Sequence, residues 1–326
     1  MALALAGLAA PSFAAGPSLL NVSYDVSREF YKDYNAAFAA QWRKTTGETL
    51  TLNQSHGGSS KQARSVVDGL EADVITMNQA NDIDLLAERG QLIPTDWAKR
   101  LPDNASPTTS VSVILVRKGN PKNIRDWTDL GRAGVSVIIP NPKTSGNGRY
   151  TYLAAWGAAL KRGVNPQAAE ALVARIFANV PVLDGGGRAA TTTFAQRQLG
   201  DALVTFESEV PLIKREFGED YEAVYPAWTV LAENPVSVVD KVVDRRGTRK
   251  PAEAYLKHLW SDEGQQIAAK HHLRPRSPKV LAAYAKDFPK VQTFTVDELF
   301  GGWKKAQADH FNDGATYDRI VAATKR

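Results

Sequence analysis

One device recurs four times along this chain and constrains its fold more than any other feature. A strand-like segment ends in a short polar or glycine-rich turn, and a helix-like segment starts at once. The junctions are Tyr24-Asp25-Val26-Ser27, His56-Gly57-Gly58-Ser59-Ser60, Thr144-Ser145-Gly146-Asn147-Gly148 and Asp184-Gly185-Gly186-Gly187-Arg188. Alternating strands and helices specify an α/β fold. In an open sheet of that class the carboxyl ends of parallel strands lie along one edge, so the helix N-termini that follow them converge there. Each brings unpaired backbone N–H groups and about half a positive charge. Four such termini make an anion site that needs no formal charge.

The intervening segments fit that reading. "LLNVSYD" (19–25), "ETLTLNQ" (48–54) and "DVITMN" (73–78) read as strands, and 27–47 reads as an amphipathic helix closed by glycine. "SVSVILVRKGNP" (110–121) is a strand whose Pro-rich approach marks a domain crossover, and "VLAENPVSVVDKVV" (230–243) marks the return. Strands are also expected at 135–140, 180–184 and 201–209, with a helix over "TFAQRQLG". The tail is mostly helical, with Ser261 as an N-cap.

Composition narrows the functional classes. At 326 residues the chain is long enough for two domains. No apolar run approaches the ~20 residues of a membrane span. There are no cysteines, hence no disulfide, thiolate metal site or Cys nucleophile. The opening "MALALAGLAAPSFAAGPS" is small, apolar and uncharged, and reads as the apolar stretch and cleavage site of a secretory leader, so residues 1–16 stand outside the fold argument. The formal charge of +5 is dispersed, and no polybasic block suggests nucleic acid.

Catalytic signatures are missing. "GGSSKQ" lacks the end of a P-loop, and "GGGRAA" is not a dinucleotide fingerprint. The histidines are scattered; His258, His271 and His272 read as exposed residues, not metal ligands. Asp297 and Glu298 read as first-turn acids of a helix. Ser59 and Ser145 have no nucleophile elbow around them. A binding function is preferred to an enzymatic one.

The motifs "SYDVSREFYKDYN", "QSHGGSSKQA", "EADVITMNQ", "RLPDNASP", "LVRKGNPKNIRDW", "NPKTSGNGRYTYLAAWGAA", "SVVDKVV" and "SDEGQQIAAK" span nearly the whole chain. They resemble those of the periplasmic sulfate/thiosulfate-binding proteins, solute receptors of ABC importers. The resemblance implies a two-lobed periplasmic binding protein fold of type II, with the ligand cleft between lobes. Lobe 1 would be 17–110 plus 236–326, and lobe 2 would be 111–235. It also implies export to the periplasm, a monomer, no cofactor and no metal, and docking on the permease subunits of a sulfate importer.

By the same resemblance the anion would be held by the backbone N–H of Asp25, the hydroxyls of Ser59 and Ser145, and the backbone N–H groups of Gly146, Asn147 and Gly187. The sulfate-binding pattern has glycine at the position of Asn147, and it has tryptophan, an indole donor, at the position of Phe206. Phenylalanine cannot donate. "LVTFESE" resembles instead the thiosulfate-binding branch, whose ligand carries a softer sulfur that suits an aromatic neighbour. Either anion, or both, is therefore expected. A donor-only site would exclude phosphate, whose proton needs an acceptor, provided that the Asp25 carboxylate turns away from the ligand. Arg149 and Arg188 read either as loop supports and distant counter-charges or as ion-paired surface residues. His56 reads as a neighbour of the site or a turn residue. The alternatives are a receptor for molybdate or phosphate and an enzyme acting on sulfate or phosphate esters.

Overall fold

The structure, a computed structural model, describes residues 16–324. The expected leader lies, but for Gly16, outside the described residues. Two sheets organise the chain. In the first, β1 (Ser18–Tyr24) runs parallel to both β2 (Thr51–Gly57) and β3 (Val74–Thr76), and β10 (Val236–Val238) closes the edge antiparallel to β3. β1 is mostly buried and carries Leu19 and Val22 into different clusters, as expected for a parallel strand covered on both faces. The helix Arg28–Thr46 follows. Phe30, Tyr31, Tyr34, Phe38 and Trp42 recur on its buried side at helical spacing, and Gly47 ends it with a left-handed φ of 77°.

The second sheet is built on the long strand β4 (Thr108–Arg117). It runs antiparallel to β7 (Ala202–Phe206), β8 (Tyr221–Val224), β9 (Trp228–Asn234) and the short β11 (Arg274–Pro275). Beyond β7 lie β5 (Val137–Pro140) and β6 (Leu183–Asp184), both parallel to their neighbours. The helix Gly146–Lys161 packs into this half. Every residue from Gly146 to Ala159 is buried, which marks a central helix covered all round.

The chain passes from the first sheet to the second before Thr108 and returns at Pro235, between β9 and β10. Helices over 240–270 then pack on the first core, contributing Val243, Tyr255, Leu256 and Ala268. The end of the chain departs from expectation. β12 (Gln292–Phe294) pairs with β9, and Phe294, Phe300, Phe311, Tyr317 and Ile320 join Trp127 and Tyr150 in the second core. The segment assigned from the sequence to the first half therefore divides, because its last apolar residues meet the second half's apolar face.

Registers place the junctions. Tyr24 pairs with Gly57, so the turns after β1 and β2 leave the first sheet side by side. Pro140 pairs with Asp184, so the turns after β5 and β6 do the same on the second sheet. None of the helices is long and apolar enough to cross a membrane, among the described residues.

Candidate functional site

The four junctions meet. Gly58 lies so close to the opposite half that an added Cβ would fall 2.7 Å from the carbonyl oxygens of both Thr144 and Gly185. A Cβ on Gly146 would collide with Asn78, from the turn after β3. One on Gly186 would collide with the Asp25 carboxylate. A Cβ on Gly187 would sit 3.0 Å from Val26 Cγ1, 3.1 Å from Asn147 Nδ2 and 3.8 Å from Asp25 Oδ1. Glycine is required at these points by close approach of backbone and side chain, not by backbone strain.

Donors concentrate there. The first ladder bond of the helix Gly146–Lys161 runs from the Arg149 N–H to the Ser145 carbonyl, so the ladder leaves the N–H groups of Gly146, Asn147 and Gly148 free. In the helix Ser59–Val67 the first such bond runs from Gln62 to Gly58, leaving those of Ser59, Ser60 and Lys61. In the short helix Gly187–Thr191 it runs from Ala190 to Gly186, leaving Gly187. The Ser145 hydroxyl makes no hydrogen bond among the described residues and the side chain is buried.

Two residues are placed differently from expectation. The Ser59 hydroxyl donates to the buried Asp82 carboxylate, so its single proton is already committed. The Asp25 carboxylate does not turn away. It reaches across to the second half, accepting the Arg188 N–H at 3.0 Å, while its other oxygen accepts the Val26 N–H at 3.1 Å. Burial raises the Asp25 pKa, opposed by those N–H groups and the Arg188 charge.

Phe206 ends β7, which runs parallel to β5 and so finishes at the same edge of the second sheet as the Ser145 turn. It is 2% exposed and packs edge-on against Tyr150, with ring centroids 5.9 Å apart. Val26 packs against the same cluster, linking that core to the Asp25 turn.

The arginines have distinct environments. Arg149 is buried; its Nε donates to the Pro142 carbonyl at 2.9 Å, its guanidinium faces Phe311, and its Nη1 has no hydrogen-bond partner among the described residues. Burial opposes its charge, and the Asp82 carboxylate favours it. Arg188 bridges the halves, bonding Glu29 at 2.8 Å and lying 3.6 Å from the buried Glu209. His56 Nδ1 faces the Tyr24 carbonyl at 3.2 Å, steadying the strand end before Asp25. His258, His271 and His272 are half-buried, not exposed; His271 pairs with Asp33.

Gly58 and Gly186, named above only as members of their junctions, complete the convergence together with Asn78 and Asp82, to which the sequence reading gives no role. The available signal was "VITMNQ", a strand ending in a polar pair, which is a fifth junction without glycine.

An α/β protein in which helix starts from two sheets meet in one donor-rich cleft has the build of a solute-binding protein. The chain belongs to the bacterial extracellular solute-binding proteins, matching that family over residues 25–274. It is 60% identical to the thiosulfate-binding protein of Pseudomonas aeruginosa over 98% of this chain and 97% of that one. It is 55% identical to the sulfate-binding protein of Escherichia coli, over 93% and 92% respectively. The sulfate-binding protein of Mycobacterium tuberculosis superposes with a TM-score of 0.83 at 32% identity, covering 91% of this chain and 100% of that one. The fold is thus the two-lobed form of periplasmic binding proteins.

Proposed function

We infer that the protein is a solute receptor that binds sulfate and/or thiosulfate and delivers it to an ABC importer. Convergence of helix starts from both sheets on one cleft carries this reading; near-full-length identity to proteins named for these two anions supports it. It acts as a receptor and not as an enzyme, in keeping with those relatives. The reading includes export to the periplasm, a monomer, and docking on the importer's permease subunits. It assigns β1–β3, β10 and 240–273 to one lobe, and β4–β9 with 292–324 to the other.

In this reading the anion takes the N–H groups of Asp25, Gly146, Asn147 and Gly187 together with the Ser145 hydroxyl. Ser59 contributes its hydroxyl only by releasing Asp82. Phe206 closes the cleft from behind as an apolar wall. The condition for excluding phosphate is not met: the Asp25 carboxylate faces the cradle, and each of its oxygens accepts one backbone N–H and keeps lone-pair capacity for a phosphate proton, so the choice between phosphate and the sulfur anions rests on the titrations below.

Calorimetry and thermal melting with sulfate, thiosulfate, phosphate and molybdate test the reading. A sulfur anion at ~100 times its Kd raises stability by about 2.7 kcal/mol. Response to neither sulfur anion refutes the reading, a stronger response to phosphate or molybdate favours the other receptors, and turnover of a sulfate or phosphate ester favours the enzyme.

A further inference from the structure

The side chain of Asn147 has no structural employment that accounts for it. It stands in the first turn of the 16-residue helix Gly146–Lys161 and is 2% exposed. Its Nδ2 has no hydrogen-bond partner among the described residues. Its Oδ1 accepts a long bond from Thr151 Oγ1, at 3.5 Å one turn along the helix, which turns the NH2 the other way. There Nδ2 lies 3.1 Å from the Cβ position of Gly187, a point shared with Val26 and Asp25. The amide nitrogen thus reaches the place where the second-half helix starts meet the Asp25 turn. Burying an NH2 without a partner is costly, and an acceptor on a bound ligand would remove that cost.

We propose that the Asn147 side-chain amide donates directly to the bound oxyanion, as a ligand-recognition group separate from its backbone N–H. This rests on the receptor reading above. With Oδ1 held by Thr151, the residue shows only N–H to the cleft. It therefore adds a neutral donor where a serine or backbone group alone would leave an anion oxygen short, and it favours anions that carry no proton.

The test measures sulfate and thiosulfate binding by calorimetry for the full chain and for Asn147→Ala and Asn147→Asp, with ligand-free melting as a control. A hydrogen bond to a charged group predicts that Asn147→Ala weakens the better-bound anion by about ten- to a hundredfold. Asn147→Asp keeps the shape but presents an acceptor. It should abolish binding at pH 8 and regain it as the pH falls towards 5, a change much steeper than the one wild type and Asn147→Ala share through Asp25 and Glu209. The Asp variant remains informative even if the Ala variant is destabilised. Wild type that binds neither anion overturns the receptor reading itself. Wild-type binding with Asn147→Ala within twofold of it, or Asn147→Asp binding as well at pH 8 as at pH 5, overturns the side-chain assignment alone.

Discussion

At the scale of single residues, Gly58 shows how tightly the two halves approach. Its φ of −56° would suit any residue, so only space demands glycine. An added Cβ would lie 2.7 Å from two carbonyl oxygens of the opposite half, closer than packing allows. Gly58→Ala should therefore oppose the closed form while sparing each half. Overpacking costs about 1–3 kcal/mol, so affinity should fall by roughly tenfold or more. Calorimetry with thiosulfate and sulfate checks this, and the ligand-free melting temperature should hold; unchanged affinity would show that the halves do not press together at this glycine. Glu209 makes a second prediction. Burial pushes its carboxyl up to about 8 from 4.5, outweighing the attraction of Arg188, while Asp25 and Glu29 push the same way. Between those values the folded state holds a proton that the unfolded state has released, so stability falls as pH rises through this window. Melting of ligand-free wild type should decline from pH 5 to 8 more steeply than that of Glu209→Gln, and parallel curves would sink the assignment. Gly58 and Glu209 both sat in visible motifs, yet neither role could be read there, because each depends on what the other half places beside it.

At the scale of elements, legibility followed periodicity. The helix after β1 was plain from its aromatic stripe and closing glycine, and Ser261 caps its helix by accepting the Gly264 N–H at 3.1 Å. Segments shaped by neighbours were less plain. The stretch 230–243, read as one crossover, is β9, β10 and the helix Asp240–Arg246, divided where Pro235 leaves one sheet for the other. The helix expected over "TFAQRQLG" is a wider-wound continuation, Thr192–Gln196, of the helix Gly187–Thr191. At the end of β7, Phe206→Trp tests whether that strand end takes part in recognition. A larger ring in the contact with Tyr150 should cost about 1–3 kcal/mol of stability. An indole N–H, which phenylalanine lacks, should raise sulfate affinity relative to thiosulfate. Denaturant unfolding and paired titrations read the two effects, and a constant affinity ratio would leave Phe206 as core alone.

At the scale of the molecule, the C-terminal segment ties the ends of the chain to its middle. Removing 292–326 would strip β12 from β9 and expose the face formed by Trp127, Tyr150 and Phe206. Because a core of this kind is close-packed, the truncated chain should lose cooperative unfolding of the second half and bind hydrophobic dye, while the first half still melts. A single sharp transition like wild type would contradict the division of the cores. What the sequence alone determined is the local chemistry: alternating strands and helices, helix starts rich in glycine and serine, and residues able to donate at those starts. These follow from patterns within a few residues. Only the tertiary structure decided which donors face the cleft and which are spent. It committed the Ser59 proton to Asp82, brought the Asp25 carboxylate to Arg188 across 163 residues of chain, left the Asn147 amide without a partner and sent the tail to the second core. Each outcome depends on atoms a few ångströms apart in space and far apart in sequence, and local patterning carries no information about which distant groups will become neighbours.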